Sequence, residues 1–197
     1  MQSVNYNILI QKLEFNESDV ARTYRNQSKI IDQFNRDIRR LDVGVRSVEL
    51  NSASSSEKEF WGQFHHEHLC RPVDPLFESH GTRQLFKLYP LISEAINKGS
   101  VAIIDELDSA THPVIVGEIL NWFYDLERNH LNAQLWMSCH AASLLEELSK
   151  DEILFCEKTN EGTTEIFKLS EIQSVRRDEN YYRKYFGGYY GALPRVG

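Results

Sequence analysis

Apolar residues recur at helical intervals in three separate stretches of the chain. Val20, Tyr24, Ile30, Ile31, Phe34 and Ile38 are spaced for one face of a helix over residues 18–40. Leu85, Phe86, Leu88, Leu91, Ile92, Ala95 and Ile96 repeat in the same way after Thr82, and Lys98-Gly99 supplies a C-terminal stop. Val114, Ile115, Ile119, Leu120, Phe123, Tyr124 and Leu126 form a third amphipathic run, which Arg128-Asn129-His130 ends. Shorter runs predict strands over residues 43–50, at the apolar segment ending in Ile104, and over 133–137, the last two buried. Residues 153–158 and 163–169 flank the turn Thr159-Asn160-Glu161-Gly162 and read as a hairpin, with Ser170 expected to cap a short helix after it. Ile8-Leu9-Ile10 and Leu13 are apolar without a clear period, and the small polar residues 51–58 read as a loop. No internal repeat is present.

Two parallel strands joined by a helix place their C-terminal ends on one edge of a sheet, where α/β folds bind ligands. The pattern therefore predicts a three-layer α/β arrangement with a mostly parallel sheet and a hairpin near the end.

Composition narrows the class. The chain has 197 residues, is 41% hydrophobic and 11% aromatic, and can bury a core. Its net charge of −7 argues against a surface built for non-specific nucleic-acid binding. Three widely spaced cysteines, Cys70, Cys139 and Cys156, point to a reducing compartment rather than a disulfide framework. No apolar run approaches a membrane span and residues 1–20 lack a signal-peptide layout, so a cytoplasmic location is expected. The charge-dense segment 36–42 reads as a solvated face. His65, His66, Glu67, His68 and Cys70 lie close together. On a strand His66 and His68 share one face and His65 and Glu67 the other, which gives no ready tetrahedral set.

Residues 100–113 carry the most chemistry. The strand ending Ile103-Ile104 delivers Asp105 and Glu106 side by side, with a Ser109-Ala110 turn close behind. Such a pair suits a nucleotide site: the first carboxylate holds Mg2+ through its water shell, and the second polarises the water that attacks a γ-phosphate. His140, at the end of the strand over 133–137, is expected to converge on the pair and to contact the γ-phosphate or hold that water. Ser79-His80-Gly81-Thr82 opens a helix with hydroxyls and free backbone N–H groups, which favour an anion. An ordinary N-cap by Ser79 or Thr82 is the alternative.

Taken together, these motifs resemble those of ABC-type (AAA-family) ATPases, and within them the stand-alone ATP-binding proteins of bacterial anti-phage and restriction-linked loci. Glu78 to Thr82 is similar to the signature of that group, Ile103-Ile104-Asp105-Glu106 to Walker B, and Ser109-Ala110-Thr111-His112-Pro113 to the D-loop. Leu135 to His140 resembles the strand that ends in the switch histidine, and Arg177 to Pro194 the C-terminal signature. The match spans roughly residues 35–197. The resemblance implies ATP and Mg2+ as cofactors, Glu106 and His140 as catalytic residues and Asp105 as the metal ligand. Ser79, Gly81, Thr82, Ser109 and His112 would contact nucleotide across a subunit boundary. It also implies a division into a helical-insertion remnant over 1–50, a loop and strand over 51–74, and an ATPase C-terminal half over 75–197.

One part of such a site is missing. The pattern G-x-x-x-x-G-K-[ST], which cradles phosphates, occurs nowhere in the sequence. The chain is therefore expected to bind ATP poorly alone, as a C-terminal piece of a longer protein or half of a split ATPase. A homo-oligomer or a P-loop-bearing partner would complete it, and an effector protein is a further expected partner. Two readings stay open: an ATP-hydrolysing half-site acting as a sensor in phage defence, or a non-catalytic interaction module that binds an effector or nuclease. A third uses the tail, where Tyr181, Tyr182, Tyr185, Tyr189 and Tyr190 sit among Arg176, Arg177, Arg183 and Lys184 and could stack on nucleic acid. An arm packing back on the ATPase sheet is preferred to that reading, and no membrane partner is expected.

Overall fold

In this computed structural model, residues 8–11, 17–41, 44–52 and 60–193 are described. Val43, most of the loop at 51–58 and Pro194 lie outside them. The chain divides into two compact units, Met1–His140 and Ala141–Gly197.

The first unit is built on a three-stranded parallel sheet in the order β1-β4-β5, from β1 (Ile8–Gln11), β4 (Val101–Ile104) and β5 (Gln134–Met137). An antiparallel hairpin, β2 (Val45–Ser52) and β3 (Phe60–His66), stands beside it as a separate sheet. The parallel part is thus smaller than the pattern predicts. A short connection between two strands closes only an antiparallel pair, whereas β4 and β5 are joined through a helix. Helix α3 (His80–Lys98) packs on β1 and β4, and α4 (Pro113–Tyr124) on β5.

The N-terminal apolar period is realised as two helices, α1 (Glu17–Asn26) and α2 (Ser28–Leu41), with a break at Gln27. Their buried face, Tyr24, Phe34 and Ile38, packs with Phe64, Phe86 and Tyr89 in an aromatic core. Tyr24 stacks on Phe86 with centroids 4.6 Å apart, and Phe34 meets Phe86 and Tyr89 edge-on. Such pairs each add about 0.5–1.5 kcal/mol beyond the area they bury. Helix α3 carries Pro90 in its interior and ends, as the sequence predicts, at Gly99, which takes the left-handed conformation.

The charge-dense segment is not simply solvated over residues 36–41, Asp42 lying outside the described residues. Asp37 accepts from both terminal nitrogens of Arg128, at 2.6 and 3.3 Å, and from the Tyr89 hydroxyl at 2.5 Å. Arg128 also lies over the Trp122 ring, 3.9 Å from its centroid. Burial, together with the hydrogen bond to Asp37, holds the Tyr89 hydroxyl far above its ordinary range. The partner of Asp37 is 91 residues away in sequence, so local charge density could not reveal it.

In the second unit, β6 (Leu154–Lys158) and β7 (Thr164–Lys168) form the expected hairpin. Ser170 does not cap a helix; it lies inside a one-turn 3-10 segment, Leu169–Glu171, whose N-cap position is Lys168. Ile153, Phe155, Leu169, Val175, Tyr181 and Tyr190 make a core of their own. The tail, including α5 (Tyr181–Phe186), therefore packs on this hairpin.

Candidate functional site

Asp105 and Glu106 follow β4 directly, and Ser138, Cys139 and His140 follow β5. Parallel pairing of the strands, with Ile104 opposite Met137, sets these two ends side by side. The chain then turns at Glu106, which adopts φ 48°, a left-handed conformation that side-chain-bearing residues rarely take. Ser138 holds the turn. Its Oγ accepts from the Glu106 N–H at 2.8 Å and donates to Asp105 Oδ1. The Leu107 N–H donates to the Ser138 carbonyl at 3.2 Å, and Leu107 is fully buried beneath the turn.

The carboxylate of Glu106 lies 3.6 Å from His140 Nε2, with both side chains open to solvent. The His140 N–H in turn donates to Asp108 Oδ2 at 2.9 Å. Asp105, Glu106 and His140 are thus gathered on one exposed rim by Ser138 and Asp108. Neither of these two has a role that the sequence alone assigns. Their signal is positional only: a hydroxyl and a carboxylate at the ends of two strands expected to be neighbours. Burial, and after it the Asp108 carboxylate, pushes the Cys139 thiol up, which disfavours the reactive thiolate.

The Ser109 N–H donates to the Glu106 carbonyl at 2.9 Å and continues the same turn. His112 is the N-cap of α4; its Nδ1 accepts from the Val114 N–H at 3.3 Å. Ser79 is the N-cap of α3, accepting from the Thr82 N–H at 3.1 Å. The Ser79 and Thr82 hydroxyls also bond to each other at 2.7 Å, and Thr82 is buried. Helix α3 starts at His80, so of the two expected caps it is Ser79 and not Thr82 that closes its N-terminus. The Ser79 and His112 side chains thus bond within their own caps rather than to Asp105, Glu106 or His140. What ties the α3 entrance to the turn is Gly81. A Cβ there would lie 2.6 Å from the Ala110 carbonyl oxygen, so the two segments touch backbone to backbone.

A further tether runs from the β hairpin. His66 Nε2 lies 2.7 Å from Glu78 Oε2, while Glu78 Oε1 accepts from the Ser79 N–H at 2.7 Å. His65 lies 3.3 Å from Glu49. His68 falls in the turn after β3, so it does not share a strand face with His66. Among the described residues no three His, Cys, Asp or Glu side chains are grouped to hold a metal ion.

Strand β5 is less buried than its apolar residues predict: its exposure alternates, and Trp136 is 52% exposed. Among the described residues it is an end strand of its sheet and pairs on one side only. Among the described residues no helix is long and apolar enough to cross a membrane.

Comparison with known proteins adds a family and a fold. Residues 5–146 match the profile of a family described as "AAA domain, putative AbiEii toxin, Type IV TA system". No curated protein matches the chain. Among solved structures, one from work on "ATP-driven dimerization and DNA stimulated activation of SMC ATPases" is similar in fold. It has a TM-score of 0.56 and 13% sequence identity, over 76% of this chain and 88% of that one.

Proposed function

Because the chain belongs to the AbiEii toxin-like family of AAA domains, we propose that it supplies one half of an ATP-hydrolysing site. The observation that carries this reading is the approach of Glu106 to His140, 3.6 Å apart at the C-terminal ends of two parallel strands, beside Asp105. The ATPase-like fold supports it.

The donor set fits Mg2+. Asp105 is exposed, and Ser138 engages only its Oδ1, leaving Oδ2 for a cation or for water in its shell. Mg2+ held there would neutralise charge on the phosphate oxygens. Glu106 accepts the proton of the attacking water as general base, and its left-handed backbone aims the carboxylate at His140 rather than into the sheet. His140 hydrogen-bonds the water or donates to the γ-phosphate, and keeps Glu106 in place. Ser138 positions both carboxylates by bonding to one side chain and to the backbone of the other. On the neighbouring edge, Ser79, Gly81, Thr82, Ser109 and His112 present the mouth of α3 and the following turn to a triphosphate held by another chain. That second chain is either another copy or a partner carrying the phosphate loop. A role as sensor or regulator in phage defence rests on the motif resemblance and on the toxin–antitoxin association in the family's description.

The test is ATP turnover by the chain alone and after mixing with a P-loop-bearing partner, with E106Q and H140A in parallel. Turnover that appears on mixing and disappears in E106Q supports the half-site. Mixing that restores no Glu106-dependent turnover rejects it and leaves the interaction-module reading.

A further inference from the structure

The second unit divides its tail aromatics into two sets. Tyr181 and Tyr190 are each 5% exposed and belong to the core, while Tyr185 stacks on Phe155 at 5.4 Å with planes 6° apart. Tyr182, Phe186 and Tyr189 face outward, at 38, 57 and 72% exposure. One outer ring is mounted on an inner one. Phe186 lies edge-on to Tyr185 at 5.5 Å and to Tyr182 at 4.9 Å. Tyr189 lies back so close to Gly187 that a Cβ there would sit 2.9 Å from its ring. Exposed aromatic area held this firmly loses little side-chain freedom when something stacks on it.

The charge around these rings runs against that of the chain. The chain carries −7, yet residues 176–186 hold four cations, Arg176, Arg177, Arg183 and Lys184, against two carboxylates, Asp178 and Glu179. Glu179 is engaged by Lys184 and by the Tyr190 hydroxyl, and Arg176 lies 3.5 Å from Asp178. Arg177 and Arg183 are both exposed. Every large apolar side chain over residues 181–190 is aromatic, with no aliphatic anchor of the kind a lipid surface takes up. Exposed flat rings, one of them with the Lys184 ammonium 5.8 Å from its centroid, and exposed arginines in the same segment suit a ligand that offers both π-faces and phosphates.

We infer that Tyr182, Phe186 and Tyr189, with Arg177 and Arg183, form a docking surface for single-stranded nucleic acid. Bases stack on the outer rings and the backbone phosphates meet the arginines. The surface lies within the second unit and its binding needs no ATP, so it stands or falls apart from the hydrolysis site.

Fluorescence anisotropy tests this with the full chain, no nucleotide, and labelled single strands of about 20 nucleotides at about 50 mM salt. Expected are micromolar affinity that falls as salt rises, a loss of about tenfold or more in Y182A/F186A, and a shallower salt dependence in R177Q/R183Q. None of the four side chains belongs to the buried core, so circular dichroism should show both variants folded. DNA and RNA arms identify the natural strand, and binding to either supports the proposal. Absence of binding overturns it. So does equal binding by Y182A/F186A, tighter binding of a duplex of the same sequence, or stronger binding to anionic vesicles than to the oligonucleotides.

Discussion

The Tyr24 hydroxyl donates a buried hydrogen bond, 2.8 Å long, to the carbonyl of Phe86, four residues before Pro90. That carbonyl is the acceptor left vacant in α3, because proline has no N–H to return to it. The tyrosine of α1 thus repairs the helix that carries the signature-like turn, and Tyr24 stacks on the Phe86 ring as it does so.

Y24F should therefore destabilise the first unit by about 1–3 kcal/mol, the cost of leaving a buried carbonyl without a donor. The loss should shrink in a P90A background, where the substituted alanine restores the helical N–H. Urea unfolding of the four members of this cycle measures the coupling. Equal losses in both backgrounds would show that the hydroxyl does not serve the proline gap.

Gly81 supplies a second test. A methyl group there would meet the Ala110 carbonyl at 2.6 Å, and backbone cannot swing aside as a flexible side chain can. G81A should cost about 1–3 kcal/mol as overpacking and move the Ser109-Ala110 turn away from α3. S79A removes the cap and the hydroxyl bond to Thr82, at about 1–2 kcal/mol, and leaves that approach intact. If turnover depends on the contact, G81A should lose more activity than S79A at equal stability loss, measured under conditions where both are folded.

The elements that the sequence shows plainly are those whose partners are near in sequence or whose apolar period is long. Helices α3 and α4 and the β6–β7 hairpin belong here, as does the strand that ends at Ile104. Strand β1 is hidden because four residues carry too little period to separate a strand from any apolar run. The break at Gln27 is hidden because apolar spacing continues across it. Asp37 reads as solvated because its cation, Arg128, arrives from the far side of α4. At the candidate site, the nearness of Asp105, Glu106 and His140 follows from strand topology. The left-handed backbone of Glu106 and the bridging role of Ser138 do not, since both depend on how two loops meet.

In the second unit, pH gives a further handle at Glu179. Burial alone would raise its carboxyl, but hydrogen bonds from Lys184 and Tyr190 and the charge of Lys184 outweigh it and hold the group below its ordinary value. A depressed folded-state pKa contributes stability above the ordinary carboxylate range, and that contribution is lost as pH falls through the folded value. E179Q should thus lower the thermal midpoint at neutral pH, and the gap to the unmodified chain should close as the solution becomes strongly acidic. Near-UV circular dichroism of the tyrosines follows the transition. A gap that persists at low pH would mean that the carboxylate charge is not what stabilises the unit.

Glu106 sets stability against activity at a single position. Its φ of 48° costs a side-chain-bearing residue about 1–2 kcal/mol, a cost that glycine does not bear. The Ser138 Oγ bond to its N–H is a backbone contact and survives any side-chain change. E106G should therefore fold with stability equal to the unmodified chain or about 1 kcal/mol higher, the gain being trimmed by glycine's greater freedom when unfolded. It should abolish the turnover restored by a P-loop-bearing partner. S138A should do the reverse at the level of structure: it releases both the Glu106 N–H and Asp105, lowers stability, and reduces turnover about ten- to hundredfold by loosening the carboxylates without removing either. Unfolding midpoints and single-turnover rates on the two variants separate these outcomes. A destabilised E106G would mean that the turn needs the glutamate side chain for folding, and the strain would then have no functional purpose.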